Sequence, residues 1–228
     1  MKVKLISSTQ NLLDVIYTGA TTCYNAGSPI DKWFDVCTIP TDKKIKLVDK
    51  CIRATHDSVL EHSQFTFAIE GVSRSLMSQI SRHRIAVSLS IQSQRYVNLE
   101  NNFDYVTPKT LQDEGDLQGY FTECMNQAYE SYIELLDKGV KPEDARAVLP
   151  NACCTNMVVT FNLRSFIHLC NLRLCSHSQL EIRQLVSQMV KEVLKDNEWL
   201  KPYLAPKCEL VGYCNEDKSC GRKPSLKD

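Results

Sequence analysis

Residues 79 to 96 read Gln79-Ile80-Ser81-Arg82-His83-Arg84-Ile85-Ala86-Val87-Ser88-Leu89-Ser90-Ile91-Gln92-Ser93-Gln94-Arg95-Tyr96. Three arginines fall within fourteen residues, yet Ile80, Ile85, Val87, Leu89 and Ile91 are threaded among them. A loop that met only solvent would not need those apolar side chains. They predict a partly buried segment: a helix from Val72 to about His83, then an extended run after Arg84 and a loop holding Ser88 to Tyr96. Arginine is always charged, and its planar fork matches phosphate oxygens two at a time. Cations in such a frame predict a pocket for a phosphorylated ligand. The blander alternative is a solvated salt-bridge face.

Outward from this stretch, Phe65, Phe67 and Ile69 alternate with Thr66, Ala68 and Glu70, the pattern of a half-buried strand. Before it, Thr41-Asp42 caps a helix running to about His56, with Ile45, Val48 and Ile52 on one stripe. Val3 and Leu5 open a first strand. Asn11 to Tyr17 forms a turn or two of helix ending near Gly19, and Ala26 to Pro40 reads as a loop.

Downstream, Asp116 to Leu136 carries apolar residues at the helical period, and Gly139 can end that helix. Pro142-Glu143-Asp144 starts a short helix that holds Arg146 and stops at Pro150. Met157 to Phe161 reads as a strand. Asn162 caps a helix from Arg164 to about Leu174, and Ser178 to Leu194 is another amphipathic helix. The cysteine-containing tail, about 202–228, is mostly irregular. Strands and helices mix without strict alternation, which favours one α/β domain of the α+β type over residues 1–228.

Lys plus Arg and Asp plus Glu both number 27, so the net charge is zero. That argues against a binder of nucleic acid polymers or membrane surfaces. No apolar run reaches membrane-spanning length, and the first residues show no signal-peptide pattern. Eleven cysteines without an export signal point to reduced thiols in a cytoplasm. Cys51, Cys124 and Cys170 lie among apolar neighbours and read as small core residues.

Three further groups carry possible chemistry. His56 and His62 bracket Asp57 and Glu61, but their spacing fits no standard zinc motif. Cys208, Cys214 and Cys220 are evenly spaced at intervals longer than the usual zinc pairs, so no metal is expected. None of the other cysteines has an adjacent histidine and base to mark it as a nucleophile. In the helix after Asn162, Arg164 and His168 are four apart and share a face, whereas Arg173 lies about half a turn round from Arg164 at ~100° per residue. One helix thus presents cations to two opposite sides, an arrangement that suits ligand sites lined by an oligomer.

Taken in order, several pieces resemble the flavin-dependent thymidylate synthase family. They are His56 to His62 with the strand Phe65-Thr66-Phe67, then Gln79-Ile-Ser-Arg-His-Arg84 and Ser93-Gln-Arg-Tyr96. Ala145 to Pro150, Asn162-Leu-Arg164, Asn171-Leu-Arg173, Ser178 to Arg183 and the tail Cys208 to Gly221 follow. The likeness runs from about residue 20 to the end. The arginine-histidine-arginine element followed by serine, arginine and tyrosine is specific to that family.

The resemblance implies a mixed β-sheet flanked by helices, assembled as a homotetramer with active sites between subunits. It implies reductive methylation of dUMP to dTMP without a cysteine nucleophile. Methylenetetrahydrofolate gives the carbon, and NADPH reduces the bound FAD. By position, Ser58, Arg82, His83, Arg84, Asn162, Arg164 and His168 resemble FAD contacts. Gln79, Arg82, Gln92, Ser93, Gln94, Arg95, Arg146 and Arg173 resemble dUMP contacts. Arg173 would lie by the uracil ring and favour its ionised form, while Arg95 and Arg146 would hold the phosphate. His56 would lie near the folate.

This chain departs from the family pattern in one place. Eight residues, not the usual seven, separate Arg84 from Ser93, and Ser90 and Ile91 stand where polar asparagine and glutamine or glutamate are common. A relative that methylates another pyrimidine nucleotide such as UMP is the alternative within enzymes, with Ser88 to Gln94 as the place to encode it. A binding protein that has lost catalysis would not need every catalytic and binding position filled. An RNA-binding module would need a basic balance and exposed aromatic platforms.

Overall fold

The computed structural model describes residues 1–97, 99 and 103–226. The last two residues of the tail therefore lie outside the described residues. In chain order the elements are β1 (Lys2–Ser8), α1 (Leu12–Tyr24), α2 (Pro29–Asp35), α3 (Thr41–Arg53), β2 (Gln64–Ser73), α4 (Arg74–Ile80), β3 (Val87–Ile91), α5 (Lys109–Gln112), α6 (Gly115–Asp137), α7 (Pro142–Ala145), β4 (Cys154–Asn162), α8 (Leu163–Arg173), α9 (Leu180–Leu194) and α10 (Lys207–Val211). Short 3₁₀ turns cover Val36–Thr38, Asp57–His62, Arg146–Val148 and Glu198–Leu200.

Among the described residues, four strands pair in the order β1-β2-β4-β3. The expected α/β class holds, but the sheet is antiparallel rather than mixed. The junction of β2 and β4 shows why. Arg74, directly after β2, donates its N–H to the carbonyl of Cys153, directly before β4, at 3.0 Å. The chain therefore re-enters the sheet at the end where β2 stops, which is the antiparallel return.

The residues cluster into two compact units. The first comprises Met1–Lys2, Ile69–Arg82 and Leu89–Val158. Val72, Leu76 and Ile80 are buried in it, as are Phe103, Met125 and Cys153, with Phe121, Tyr129 and Leu149 packed around the last three. The second comprises Val3–Ala68, His83–Ser88 and the chain from Val159 onward. Its centre is aromatic: Phe166 of α8 packs on Phe65, Phe67 and Phe161 with ring centroids 5.5–6.1 Å apart. Ile182, Leu185, Val186 and Met189 of α9 are also buried there.

Several boundaries differ from the sequence reading. Helix α1 passes through Gly19 to Tyr24; a Cβ at Gly19 would stand 3.3 Å from the His62 ring, so this glycine serves close packing and not helix termination. The loop from Ala26 to Pro40 contains α2. Ser28 caps it, its Oγ accepting from the N–H of Ile30 and Asp31, and Pro29 takes the first helical position. Helix α4 stops at Ile80, so Arg82 lies in the turn after it and His83 and Arg84 in the irregular segment that follows. Helix α7 ends at Ala145, and Arg146 opens a 3₁₀ turn.

Candidate active site

In the first unit, two of the predicted phosphate ligands meet on one residue. Arg95 Nε donates to the Glu143 carboxylate at 3.2 Å, and Arg146 Nε donates to the Glu143 carbonyl at 3.0 Å. Glu143 sits in the first turn of α7, where the Pro142 start holds it in place. Both guanidinium groups are bound through Nε. That mode sets their planes and commits neither Nη–Nη edge to Glu143. Arg95 also lies over the Tyr96 ring, 5.4 Å from its centroid.

Ser93 shapes the loop. Its Oγ accepts from the Arg95 N–H at 3.2 Å, and its carbonyl accepts from the Val97 N–H at 3.0 Å. Gln92 is fixed to β4 by its own N–H, which donates to the Asn156 carbonyl at 2.9 Å, and by its side-chain oxygen, which accepts from Asn156 Nδ2 at 3.1 Å. Gln94 Nε2 reaches Cys153 Sγ at 3.5 Å. Gln79 is half-buried near the end of α4, and Arg82 is exposed.

The segment between Arg84 and Ser93 contains β3. There Val87, Leu89 and Ile91 are half-buried, while Ser88 and Ser90 are exposed. Ile91 thus continues an apolar face, and the strand keeps its alternation.

Arg74 is the residue that the sequence reading missed. Its Nη2 donates to the Gln92 carbonyl at 2.8 Å, and its buried Nε has no hydrogen-bond partner among the described residues. Burial pulls its pKa down; the Cys153 thiol opposes that shift and the Arg146 charge adds to it. The signal was available in Ser73-Arg74, a cation at the first position of a capped helix that opens on the quoted segment.

In the second unit, the hydroxyl of Ser165 donates to the Ile85 carbonyl at 2.6 Å, and the Asn162 N–H donates to the Ala86 carbonyl at 3.3 Å. These bonds pin the segment after Arg84 to the start of α8. Asn162 is buried and caps α8, its Oδ1 accepting from the Ser165 N–H at 2.8 Å. Arg164 and His168 are exposed on one face of α8, while Phe166 and Leu169 are buried. Arg164 Nη1 lies 2.5 Å from Glu61 Oε1, and Asp57 Oδ2 stands 3.8 Å from its Nε. The bond to Glu61 holds the Arg164 pKa up. Ser58, between those two acids, is exposed.

His83 faces Arg173 and His168. Arg173 Nε donates to His83 Nε2 at 3.1 Å, and the His168 ring meets His83 edge-on at 6.0 Å. The long Arg173 side chain therefore reaches the same imidazole that contacts His168, although the two positions differ by well over a quarter turn of helix. Burial lowers the pKa of both Arg173 and His83.

His56 is exposed; its Nδ1 bonds the Tyr24 hydroxyl at 2.7 Å and the two rings stack at 6.0 Å. They line a cavity of about 360 Å³ with Leu47, Lys50, Cys51 and Ala54. Among the described residues, no three His, Cys, Asp or Glu side chains converge as a metal site.

The family model described as "Thymidylate synthase complementing protein" matches residues 4–196. The chain belongs to this family. A relative from Nitratidesulfovibrio vulgaris is 37% identical, with 98% of this chain and 95% of the relative covered. One from Clostridium tetani is 36% identical over 100% of this chain and 96% of its own length. A third, from Pyrococcus abyssi, is 42% identical over 71% of this chain and 68% of its own. All three are named flavin-dependent thymidylate synthase.

Proposed function

We propose that this chain is a flavin-dependent thymidylate synthase: a methyltransferase that converts dUMP to dTMP, with methylenetetrahydrofolate as carbon donor and NADPH as reductant of bound FAD. The observation that carries the reading is the meeting of Arg95 and Arg146 on Glu143. Two guanidinium planes set by one acidic residue suit a dianionic phosphate monoester.

In this reading Gln79, Arg82, Gln92, Ser93 and Gln94 complete the nucleotide site, and Arg74 fixes the Gln92 backbone within it. Arg173 faces the pyrimidine ring. A fixed cation there stabilises negative charge that develops on the ring as C5 is activated, and preorganised stabilisation of developing charge is a major source of catalytic rate. The half-buried setting of Arg173 strengthens that effect, because fewer waters screen it.

The donor set of the second unit fits a flavin dinucleotide. Arg84 and Arg164 are exposed cations for its phosphates, and Ser58, His83, Asn162 and His168 supply polar contacts. Arg82 joins them in this reading. Bound FAD, once reduced, supplies the hydride; the chain's own groups bind, orient and exclude water. Cys153 and Cys170 have thiols pushed up by burial, so neither is poised as a nucleophile.

We further take residues 1–228 as one functional domain in a cytoplasmic homotetramer whose sites lie between subunits. Eleven free thiols support the compartment.

The test is an absorption spectrum of the purified protein with FAD, followed by anaerobic reduction and addition of dUMP and methylenetetrahydrofolate. Flavin reoxidation with dTMP formation is expected. Flavin binding without dTMP would move the reading to another pyrimidine nucleotide, with UMP tested next. No flavin binding would overturn it.

A further inference from the structure

His83 is the middle residue of the arginine-histidine-arginine element, and one side of its ring is committed. Arg173 Nε–H donates to His83 Nε2 at 3.1 Å. A ring nitrogen that accepts carries no hydrogen, so the neutral imidazole holds its proton on Nδ1. Among the described residues, the charged and titratable groups facing the ring are Arg173 and His168, both from α8. Burial, then the Arg173 charge, then His168 push the His83 pKa down to about 4. Above that pH the acceptor persists. Protonation would remove it and set two cations 3.1 Å apart.

We propose that His83 is a positioning residue for Arg173: its neutral Nε2 fixes the plane of the guanidinium so that the cation meets the substrate in one orientation. The inference rests on the nucleotide role given to Arg173 above. An arginine side chain has many rotamers in solution, and a bond at Nε removes much of the freedom that matters. Nε is also an economical handle, because the Nη–Nη edge is not the one His83 uses. Displacement of a reacting group by about 1 Å can cost 10²-fold in rate. The same bond constrains His83 itself. With Nε2 engaged, the ring meets any other partner, flavin included, only as an Nδ1–H donor.

Two measurements test this. ¹⁵N NMR of the intact protein labelled at histidine should show the His83 ring protonated at Nδ1 alone from pH 7 down to pH 5, and Arg173→Ala should raise its pKa. A proton on Nε2 would overturn the proposal, whatever the enzyme's substrate proves to be. In kinetics, with FAD and nucleotide held at saturation, His83→Ala should lower kcat about 10²-fold. His83→Gln sets a carboxamide oxygen close to the place of Nε2 and should recover most of that loss. Equal losses in both variants would overturn the positioning role. If His83→Ala does not fold, His83→Gln and the NMR tautomer decide. Wild-type protein that makes no dTMP would sink the functional reading alone, because the tautomer measurement needs no turnover.

Discussion

Arg164 and Glu61 stand 2.5 Å apart, joining α8 to the 3₁₀ turn that carries Asp57 and Ser58. The two side chains are 51% and 44% exposed, so the pair adds only about 0–1 kcal/mol to stability. Its effect is on orientation: the guanidinium is held over Ser58's turn by two carboxylates, one on each side of that residue in sequence. Arg164→Ala should therefore separate binding from folding. Flavin affinity should fall at least about tenfold, the equivalent of ~1.4 kcal/mol, while the melting temperature stays nearly unchanged. Flavin absorbance retained after gel filtration reads the first, and a thermal melt the second. Undiminished flavin content would contradict the assignment.

Arg173 makes the opposite prediction. It lies at the last turn of α8, half-buried against His83, and not on the exposed face that carries Arg164 and His168. Arg173→Ala should leave flavin bound and reduce the methylation rate by about 10²–10³, the loss seen when one preorganised donor to a developing anion is removed. Single-turnover formation of dTMP by the reduced, loaded protein checks it. Full activity would remove Arg173 from the reaction.

Much of this was legible in the residues, for identifiable reasons. Periodicity located β2, α3, α6 and α9 because each buries one face, and burial is what periodicity records. Asn162 announced the start of α8 because a capping side chain is local chemistry. Helix α2 hides in the stretch Ala26 to Pro40 that reads as a loop, because a proline signals a helix start only when its capping residue, here Ser28, is read with it. The sheet's direction was not readable at all. It depends on which strand ends meet, and that is fixed by long-range bonds such as Arg74 to Cys153. The same limit applies to the site. Arg95 and Arg146 are fifty-one positions apart in sequence, and only the fold reveals Glu143 as their common anchor.

That anchor supports a test with two ligands. Arg146 is set by the Glu143 carbonyl, so replacing it removes a cation without breaking the carboxylate bond to Arg95. Arg146→Ala should weaken dUMP binding by about 1.5–3 kcal/mol, the range for a hydrogen bond to a charged group. Deoxyuridine, which lacks the phosphate, should bind wild type and variant equally. Calorimetric titration of both ligands into both proteins separates the cases. A matching loss for deoxyuridine would mean that Arg146 shapes the site and does not hold the phosphate.

Phe166 connects packing to all of these roles. It lies on the buried face of α8, and its ring sits 5.7 Å from Phe65, 5.5 Å from Phe67 and 6.1 Å from Phe161. Phe166 is fully buried, and edge-tilted aromatic pairs add to what area alone contributes. Phe166→Ala should cost about 3–5 kcal/mol, because a ring-sized cavity cannot close between three rings held on β-strands. Phe166→Leu keeps much of the volume and should cost roughly 1–2 kcal/mol. Urea unfolding should show the midpoint falling in that order with an unchanged slope, since the surface exposed on unfolding is the same. Activity should fall with Phe166→Ala even where the protein stays folded. The same helix aims Arg164, His168 and Arg173, and a helix that loses its aromatic seat loses the registry of all three. If Phe166→Ala kept both stability and turnover, the aromatic cluster would not be what holds α8 in place.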